Sequence, residues 1–164
     1  MSKLSVVLHD IRSTHNVGAI LRTCDGFGIN TVYIGGYTPY PLIAGDSRLP
    51  HISAKLTKEI AKTALGAEKT VKIVLYPHLA ELIQGLKKHN IRVIALEQSS
   101  NSVKLNHFKT DGRDMALLLG REVEGIDREM LDLCDHILEI PMHGQKESFN
   151  VSVSAGIAMY TLTL

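Results

Sequence analysis

The stretch Ile140-Pro141-Met142-His143-Gly144-Gln145-Lys146-Glu147-Ser148-Phe149-Asn150 has the form of a binding site. An apolar segment ends at a proline, a polar loop containing Gly144 follows, and Ser148 and Asn150 stand where a helix must begin. Their side chains can cap the free N–H groups of the first helical turn, or face something bound there. The helix that follows carries Ser, Ala and Gly on one face, with Val151, Ile157 and Met159 among its larger apolar members, so another backbone is expected to pack closely on it. Taken alone, the junction reads equally well as an ordinary strand, turn and capped helix.

Two further stretches carry chemistry-bearing residues at close spacing. Asn16-Val17-Gly18-Ala19-Ile20-Leu21-Arg22-Thr23-Cys24-Asp25-Gly26-Phe27-Gly28 places an amide and a guanidinium on one helix, with Asn16 as its expected cap and Gly28 as its stop. Arg22 could equally be a surface residue paired to Asp25 at i+3. Leu117-Leu118-Leu119-Gly120-Arg121-Glu122-Val123-Glu124-Gly125-Ile126 ends a buried strand in a glycine-bounded acidic turn. Gly120 and Gly125 have phosphate-loop spacing, but Ile126 stands where a P-loop needs lysine, which argues against nucleoside triphosphate hydrolysis. His9-Asp10-Ile11-Arg12 after the first strand lacks the GxGxxG turn of a nicotinamide-binding site. The eight histidines form no HxxxH or HExxH pair, so no metal site is expected. His143 reads as a loop polar group or a substrate contact, and Asp10 and Glu124 show no catalytic partner from spacing alone.

The elements needed to position these residues follow from the apolar pattern. Strands are expected at Leu4–Leu8, Thr31–Gly35, Val71–Leu75, Ile91–Leu96, Met115–Leu119 and Ile137–Ile140, several of them nearly continuous apolar runs of the kind buried on both faces of a parallel sheet. Helices are expected at Val17–Phe27, Ser53–Ala64, His78–His89, Asp127–Leu133 and from Asn150 onward. The pattern predicts a doubly wound α/β fold with its ligand site at the carboxyl ends of the strands, where Gly120, Ile140 and the loop before Ser148 converge. Residues 35–50, rich in Gly and Pro, are expected to form a mobile surface loop. Residues 99–114 form a second, polar loop.

At 164 residues, 45% hydrophobic and 21% charged, the chain fits one domain spanning 1–164 that needs neither disulfide nor metal. Cys24 and Cys134 read as reduced and mostly buried. The first apolar run is too short for a signal peptide or a membrane span, which predicts a cytoplasmic protein. A net charge of +1 does not announce a nucleic-acid partner. Lys55, Lys58, Lys62, Lys69 and Lys72 nevertheless cluster in one region, where a local patch can meet phosphates. Lys87, Lys88, His89 and Arg92 read as a solvated face.

Together, and in this order, the three stretches resemble the motifs of the SpoU or TrmH-like branch of the SPOUT methyltransferases, which transfer a methyl group from S-adenosylmethionine to ribose 2′-hydroxyls of RNA. The resemblance implies a Rossmann-like parallel sheet whose C-terminal segment forms a deep trefoil knot, and a homodimer with each active site near the subunit interface. The apolar C-terminal helix, which a lone domain would leave partly exposed, agrees with a homodimer. The resemblance further implies that Leu96, Gly120, Ile140, Ser148 and Phe149 line the cofactor pocket, Leu96 by position rather than by motif. Asn16, Arg22, Glu124, Ser148 and Asn150 match the family's functional polar positions. A guanidinium stays protonated in proteins, so Arg22 is expected to clamp a phosphate and orient the hydroxyl rather than to act as a base. Transfer RNA is the favoured acceptor, because the chain lacks the N-terminal RNA-binding extension of many ribosomal RNA members. The alternatives are a catalytically silent RNA-binding module on the same fold and a base methyltransferase, the latter disfavoured by the SFNVSVS stretch.

Overall fold

The computed structural model describes residues 2–164. Seven strands, β1 Leu4–His9, β2 Thr31–Gly35, β3 Lys72–Leu75, β4 Arg92–Leu96, β5 Val103–Lys104, β6 Met115–Leu119 and β7 His136–Glu139, form one sheet in the order β3-β2-β1-β6-β4-β7-β5. All the pairings are parallel, and Leu8 lies opposite Leu119, Ala95 opposite Leu118 and Leu96 opposite Leu138. Parallel strands need crossover helices. The six are α1 Thr14–Gly26, α2 Pro50–Ala64, the single turn α3 Ala67–Thr70, α4 Leu79–Lys88, α5 Arg128–Leu133 and α6 Val151–Thr163.

Alternation along the strands sorts the core into two layers. Val6, Leu8, Leu117 and Leu119 are buried with Val17, Leu21, Ile60 and Met159. Val7, Ala95, Ala116 and Leu118 are buried with Leu82, Ile83, Leu86 and Leu131 of α4 and α5. The chain runs outward from β1 to β3 and then crosses to the other half of the sheet, so the strand order reverses between β1 and the β6–β4–β7 group. Open α/β sheets bind ligands at such a reversal, outside the carboxyl ends of the strands.

Several expectations need correction. The cap of α1 is Ser13, whose extended backbone lets Oγ accept the Asn16 N–H at 3.2 Å; Asn16 is the third residue inside the helix, and its amide is free for other partners. Helix α2 begins three residues before Ser53, because Pro50 suits the first turn, where its missing N–H costs nothing. The short β5 and a 3₁₀ turn at Leu105–His107 occupy the 99–114 segment. The 35–50 segment is braced rather than loose: Arg48 donates to the carbonyls of Tyr40 and Pro41 at 2.9 and 3.0 Å, pairs with Asp46 and stacks 3.6 Å from the Tyr40 ring centroid. Pairing with Arg48 holds the Asp46 carboxyl well below the usual carboxylate range. Nothing in a Gly/Pro-rich composition encodes such a bracket.

Cys24 is buried, Cys134 half-buried, and no disulfide joins them; loss of water around each thiol pushes its pKa up to about 12. No helix among the described residues is long and apolar enough to cross a membrane.

The closest helix contact is between α1 and α2. A Cβ on Gly18 would lie 2.1 Å from Thr63 Oγ1 and 2.3 Å from the Ile60 carbonyl oxygen, and the backbone atom cannot move aside without shifting the helix. Gly18→Ala is expected to destabilise the fold by about 1–3 kcal/mol through overpacking. Urea unfolding checks this, with a lowered midpoint at unchanged slope as the expected result.

Candidate active site

At the carboxyl ends of β4, β6 and β7 lies a cavity of about 270 Å³ whose lining includes Leu96, Gly120, Ile140, Ser148 and Phe149. These are the five positions expected to line a cofactor pocket, and three separate segments bring them together. Leu96 ends β4, Gly120 follows β6, and Ile140, Ser148 and Phe149 belong to the loop between β7 and α6. Sequence reasoning missed Glu97, Gln98, Arg121, Glu122, Glu139, Met142, Glu147 and Ser154, which also line it.

The 120–126 turn owes its shape to Glu97. Its Oε2 accepts the Ile126 N–H at 3.1 Å and its Oε1 accepts the Gln98 N–H at 2.8 Å. Gly125 closes the turn in the left-handed region (φ 70°), and a Cβ there would meet Glu97 Oε2 at 2.2 Å; an L residue fails on both counts. Arg121 seals the other side, donating Nε–H to the Gly125 carbonyl at 3.1 Å and pairing with Asp127. From the opposite wall, Gln98 Nε2 donates to the Glu147 carbonyl at 2.6 Å, tying β4 to the loop before α6.

A polar chain links the three motifs beside the cavity. Asn16 Nδ2 donates to Glu122 Oε1 at 3.2 Å, and Asn150 Nδ2 donates to Asn16 Oδ1 at 3.2 Å. Asn150 also caps α6, its Oδ1 accepting the Ser152 N–H at 2.9 Å, so the cap reading holds while its Nδ2 turns to Asn16. Arg12 contributes its backbone N–H to Glu122 Oε2 at 3.4 Å and its guanidinium to Glu124 at 3.7 Å.

The other expected polar residues are placed differently. Ser148 lines the cavity, whereas Glu124 lies outside it, exposed and facing Arg12; Glu122, two residues earlier, is the carboxylate at the cavity wall. Arg22 is exposed on α1, does not line the cavity, and its side chain has no hydrogen bond or ion pair among the described residues. Its supposed partner Asp25 instead accepts the Thr70 hydroxyl at 2.6 Å.

The chemistry of the lining suits a cationic, partly apolar ligand. Leu96, Leu119, Ile140 and Phe149 offer apolar wall, and Glu97, Glu122, Glu139 and Glu147 outnumber Arg121 as the lining's only basic residue. This matches S-adenosylmethionine, whose flat adenine seeks apolar contact and whose sulfonium and ammonium are positive.

An α/β sheet with a cavity outside the carboxyl ends of its parallel strands is the arrangement of proteins that bind nucleotide-like ligands. Comparison with known proteins goes further. The sequence profile of the SpoU rRNA Methylase family matches residues 3–160, and the chain belongs to that family. It is 35% identical over 156 residues to the 23S rRNA (guanosine-2′-O-)-methyltransferase RlmB of Neisseria meningitidis, covering 95% of this chain and 56% of that one. A putative TrmH family tRNA/rRNA methyltransferase of Staphylococcus haemolyticus is 33% identical over 161 residues, covering 94% and 56%. The chain thus spans little more than half the length of these relatives. Among solved structures, the A. aeolicus TrmH/SpoU tRNA modifying enzyme superposes with a TM-score of 0.80 at 24% identity, covering 99% of this chain and 75% of that one. The AdoMet-bound rRNA methyltransferase of Sinorhizobium meliloti gives 0.78 at 21% identity, covering 97% and 55%. At these identities the structural likeness establishes the shared fold.

Removing the Glu97 carboxylate leaves the Ile126 N–H without its acceptor. Glu97→Ala is therefore expected to speed amide exchange at Ile126 by about tenfold or more, the scale of one lost hydrogen bond in a half-buried turn. Exchange mass spectrometry on the 120–126 peptide measures it, with the β1 peptide unchanged.

Proposed function

We propose that the chain is an S-adenosylmethionine-dependent RNA methyltransferase that modifies a ribose 2′-hydroxyl of transfer or ribosomal RNA, with residues 1–164 forming one domain that acts as a cytoplasmic homodimer. The observation that carries this reading is the joining of Asn16, Glu122 and Asn150 beside a cavity lined by Gly120, Ile140, Ser148 and Phe149. The names of its relatives, one a 23S rRNA 2′-O-methyltransferase and one a tRNA/rRNA methyltransferase, support it and leave both RNA classes in play. Threading of the C-terminal segment as a deep trefoil knot belongs to the same reading.

The cofactor, when bound, supplies an electrophilic methyl group. Leu96, Ile140 and Phe149 would hold its apolar parts, the carboxylates of the lining its positive charge, and Ser148 the edge facing the acceptor. A ribose hydroxyl is a poor nucleophile, so the protein must orient it in line with the methyl carbon and stabilise the charge that develops. Asn16, fixed between Glu122 and Asn150, is a positioned amide for that task. Arg22 supplies the phosphate clamp.

Two features support RNA as the partner and a second subunit as part of the site. His51, Lys55, Lys58 and Lys62 are all exposed, and their spacing puts them along one side of α2. The Thr63 hydroxyl, bonded to the His15 carbonyl at 2.9 Å, holds the far end of that helix beside the start of α1. Lys69 and Lys72 are exposed beyond it. For the second subunit, Val153, Ile157 and Tyr160 form an exposed apolar stripe on α6, joined by Phe27 of α1, whose ring lies 6.3 Å from Tyr160. A helix apolar on every side is built to be buried. Arg22 lies exposed on α1, the helix that packs against α6.

Sedimentation at micromolar concentration is expected to show twice the 18.0 kDa chain mass. Ile157→Asp, which places a charge on the apolar stripe, is expected to shift it to monomer.

Nucleoside mass spectrometry tests the activity, using separated tRNA and rRNA from cells lacking the gene, incubated with protein and S-adenosylmethionine. A 2′-O-methylnucleoside in either fraction is expected; a methylated base or no product overturns the reading. Arg22→Ala is expected to lose about 3–5 kcal/mol of transition-state stabilisation, a hundred- to several-thousand-fold in rate, at unchanged cofactor affinity. Arg22→Lys is expected to restore little, since a point charge cannot replace the planar fork.

A further inference from the structure

Where β1 and β2 end side by side, the backbone takes two left-handed conformations in close contact. Asp10 has φ 59° and Gly36 has φ 61°, and a Cβ on Gly36 would lie 1.8 Å from Asp10 Oδ1. Left-handed backbone is uncommon outside glycine, and such strain collects where function demands a particular shape. Here it turns the chain so that Tyr37 stands outward. The Tyr37 N–H donates to Asp10 Oδ1 at 3.1 Å. The next residue, Thr38, is 3% exposed and staples both loops, its Oγ1 accepting the Ile11 N–H at 3.0 Å and lying 3.4 Å from the Leu8 carbonyl.

The result is a large aromatic ring that is 52% exposed on a rigid base. Single exposed aromatic residues are common and ordinarily need no explanation. This one differs in its neighbours. The Arg12 guanidinium lies 5.8 Å from the ring centroid, and Arg12 is held by Glu124 through its side chain and by Glu122 through its N–H. Glu122 lines the cavity and binds Asn16. Tyr37 is thus tied through two residues to the cavity wall, and much of its ring faces solvent.

An exposed ring on a fixed stretch of backbone, with a guanidinium beside it, is an arrangement on which nucleobases stack, because every base has a π face. Resting on the reading of this site as an RNA ribose methyltransferase, we infer that Tyr37, braced by Arg12, is a nucleobase-stacking platform that seats the base of the target nucleotide or its immediate neighbour. Stacking is tolerant of base identity, so Tyr37 fixes how far the nucleotide is drawn from its own stack rather than which base is chosen. The nearby carbonyls and carboxylates are left to read the base edge.

The chain contains no tryptophan, which gives a direct readout. The Tyr37→Trp protein carries a single indole, and titration with total RNA from cells lacking the gene is expected to quench its fluorescence. A Val103→Trp control on the exposed edge strand β5, at the end of the sheet away from β3 and the α2 lysines, is expected to be quenched far less. In methyl-transfer assays on the same RNA, Tyr37→Ala is expected to raise the KM for RNA by about tenfold or more, the scale of one lost base–aromatic stack, at unchanged cofactor affinity and sedimentation. Tyr37→Phe is expected to restore most of the loss, and Tyr37→Leu, apolar but not planar, is not. Equal quenching of both indoles, a wild-type KM in Tyr37→Ala, or rescue by Leu as good as by Phe overturns the platform. So does a Tyr37→Ala protein that loses cofactor binding or its oligomeric state, since the residue is then structural. The two readings fail separately: wild-type protein that forms no 2′-O-methylnucleoside counts against the enzyme, whereas quenching of the Tyr37→Trp indole tests the platform without turnover.

Discussion

A single carboxylate, that of Glu122, holds the candidate site together. It accepts the Arg12 N–H and the Asn16 amide, groups 110 and 106 residues earlier in the chain, and Asn16 in turn accepts the Asn150 amide 134 residues later. Each bond is modest, since hydrogen bonds formed near water contribute on the order of 1 kcal/mol. Their value is positional. Asn150 is also the cap of α6, so the start of the last helix, the start of the first and the turn after β6 are fixed by one line of contacts. The sheet makes this possible, because parallel strands all deliver their carboxyl ends to the same side.

The same site shows a division of labour between charge and shape. The carboxylates in the cavity lining make its potential negative, which suits a cationic cofactor and would repel a phosphate backbone. The exposed lysines of α2 and Arg22 of α1 accordingly lie outside the cavity. Arg12 is the exception, and it is neutralised locally by Glu124. Under the proposed activity, such separation would let a positive cofactor and a polyanionic substrate approach one point without either screening the other.

Much of this was legible in the sequence, for identifiable reasons. Met115–Leu119 is a continuous apolar run and Leu4–Leu8 nearly one, as buried strands of a parallel sheet are, and Gly120, Ile140 and the loop before Ser148 fall at strand ends and a helix start, where patterns are sharpest. Leu96 and Phe149 came only with the family resemblance. What escaped were interactions between residues distant in sequence. Asn16 has the type of a cap, and Ser13 outcompetes it through its extended backbone. Glu97 carries no motif, yet its carboxylate shapes the turn around Gly125. Glu122 and Glu124 are indistinguishable by composition; only the direction of the turn decides which meets the cavity wall. The Arg48 bracket across residues 40–48 was hidden in the same way, behind Gly and Pro residues that suggested looseness. Tyr37 stands out only once the left-handed backbone at Asp10 and Gly36 is seen.

The packing of α6 on α1 bears on how the protein is born. Cys24 and Met159, in contact at 3.9 Å, are separated by 135 residues, and β1 finds its inner neighbour β6 only after more than a hundred intervening residues have been made. At a synthesis rate of about 5–20 residues per second, α1 waits about 7 to 27 s for the helix that covers it. During translation the nascent chain can pair β1 with β2 and pack α1 on α2, but one side of β1 and one face of α1 stay bare. A half-built layer therefore emerges from the ribosome, and its apolar surface must be shielded, by the translation machinery or by chaperones, until the last segment arrives.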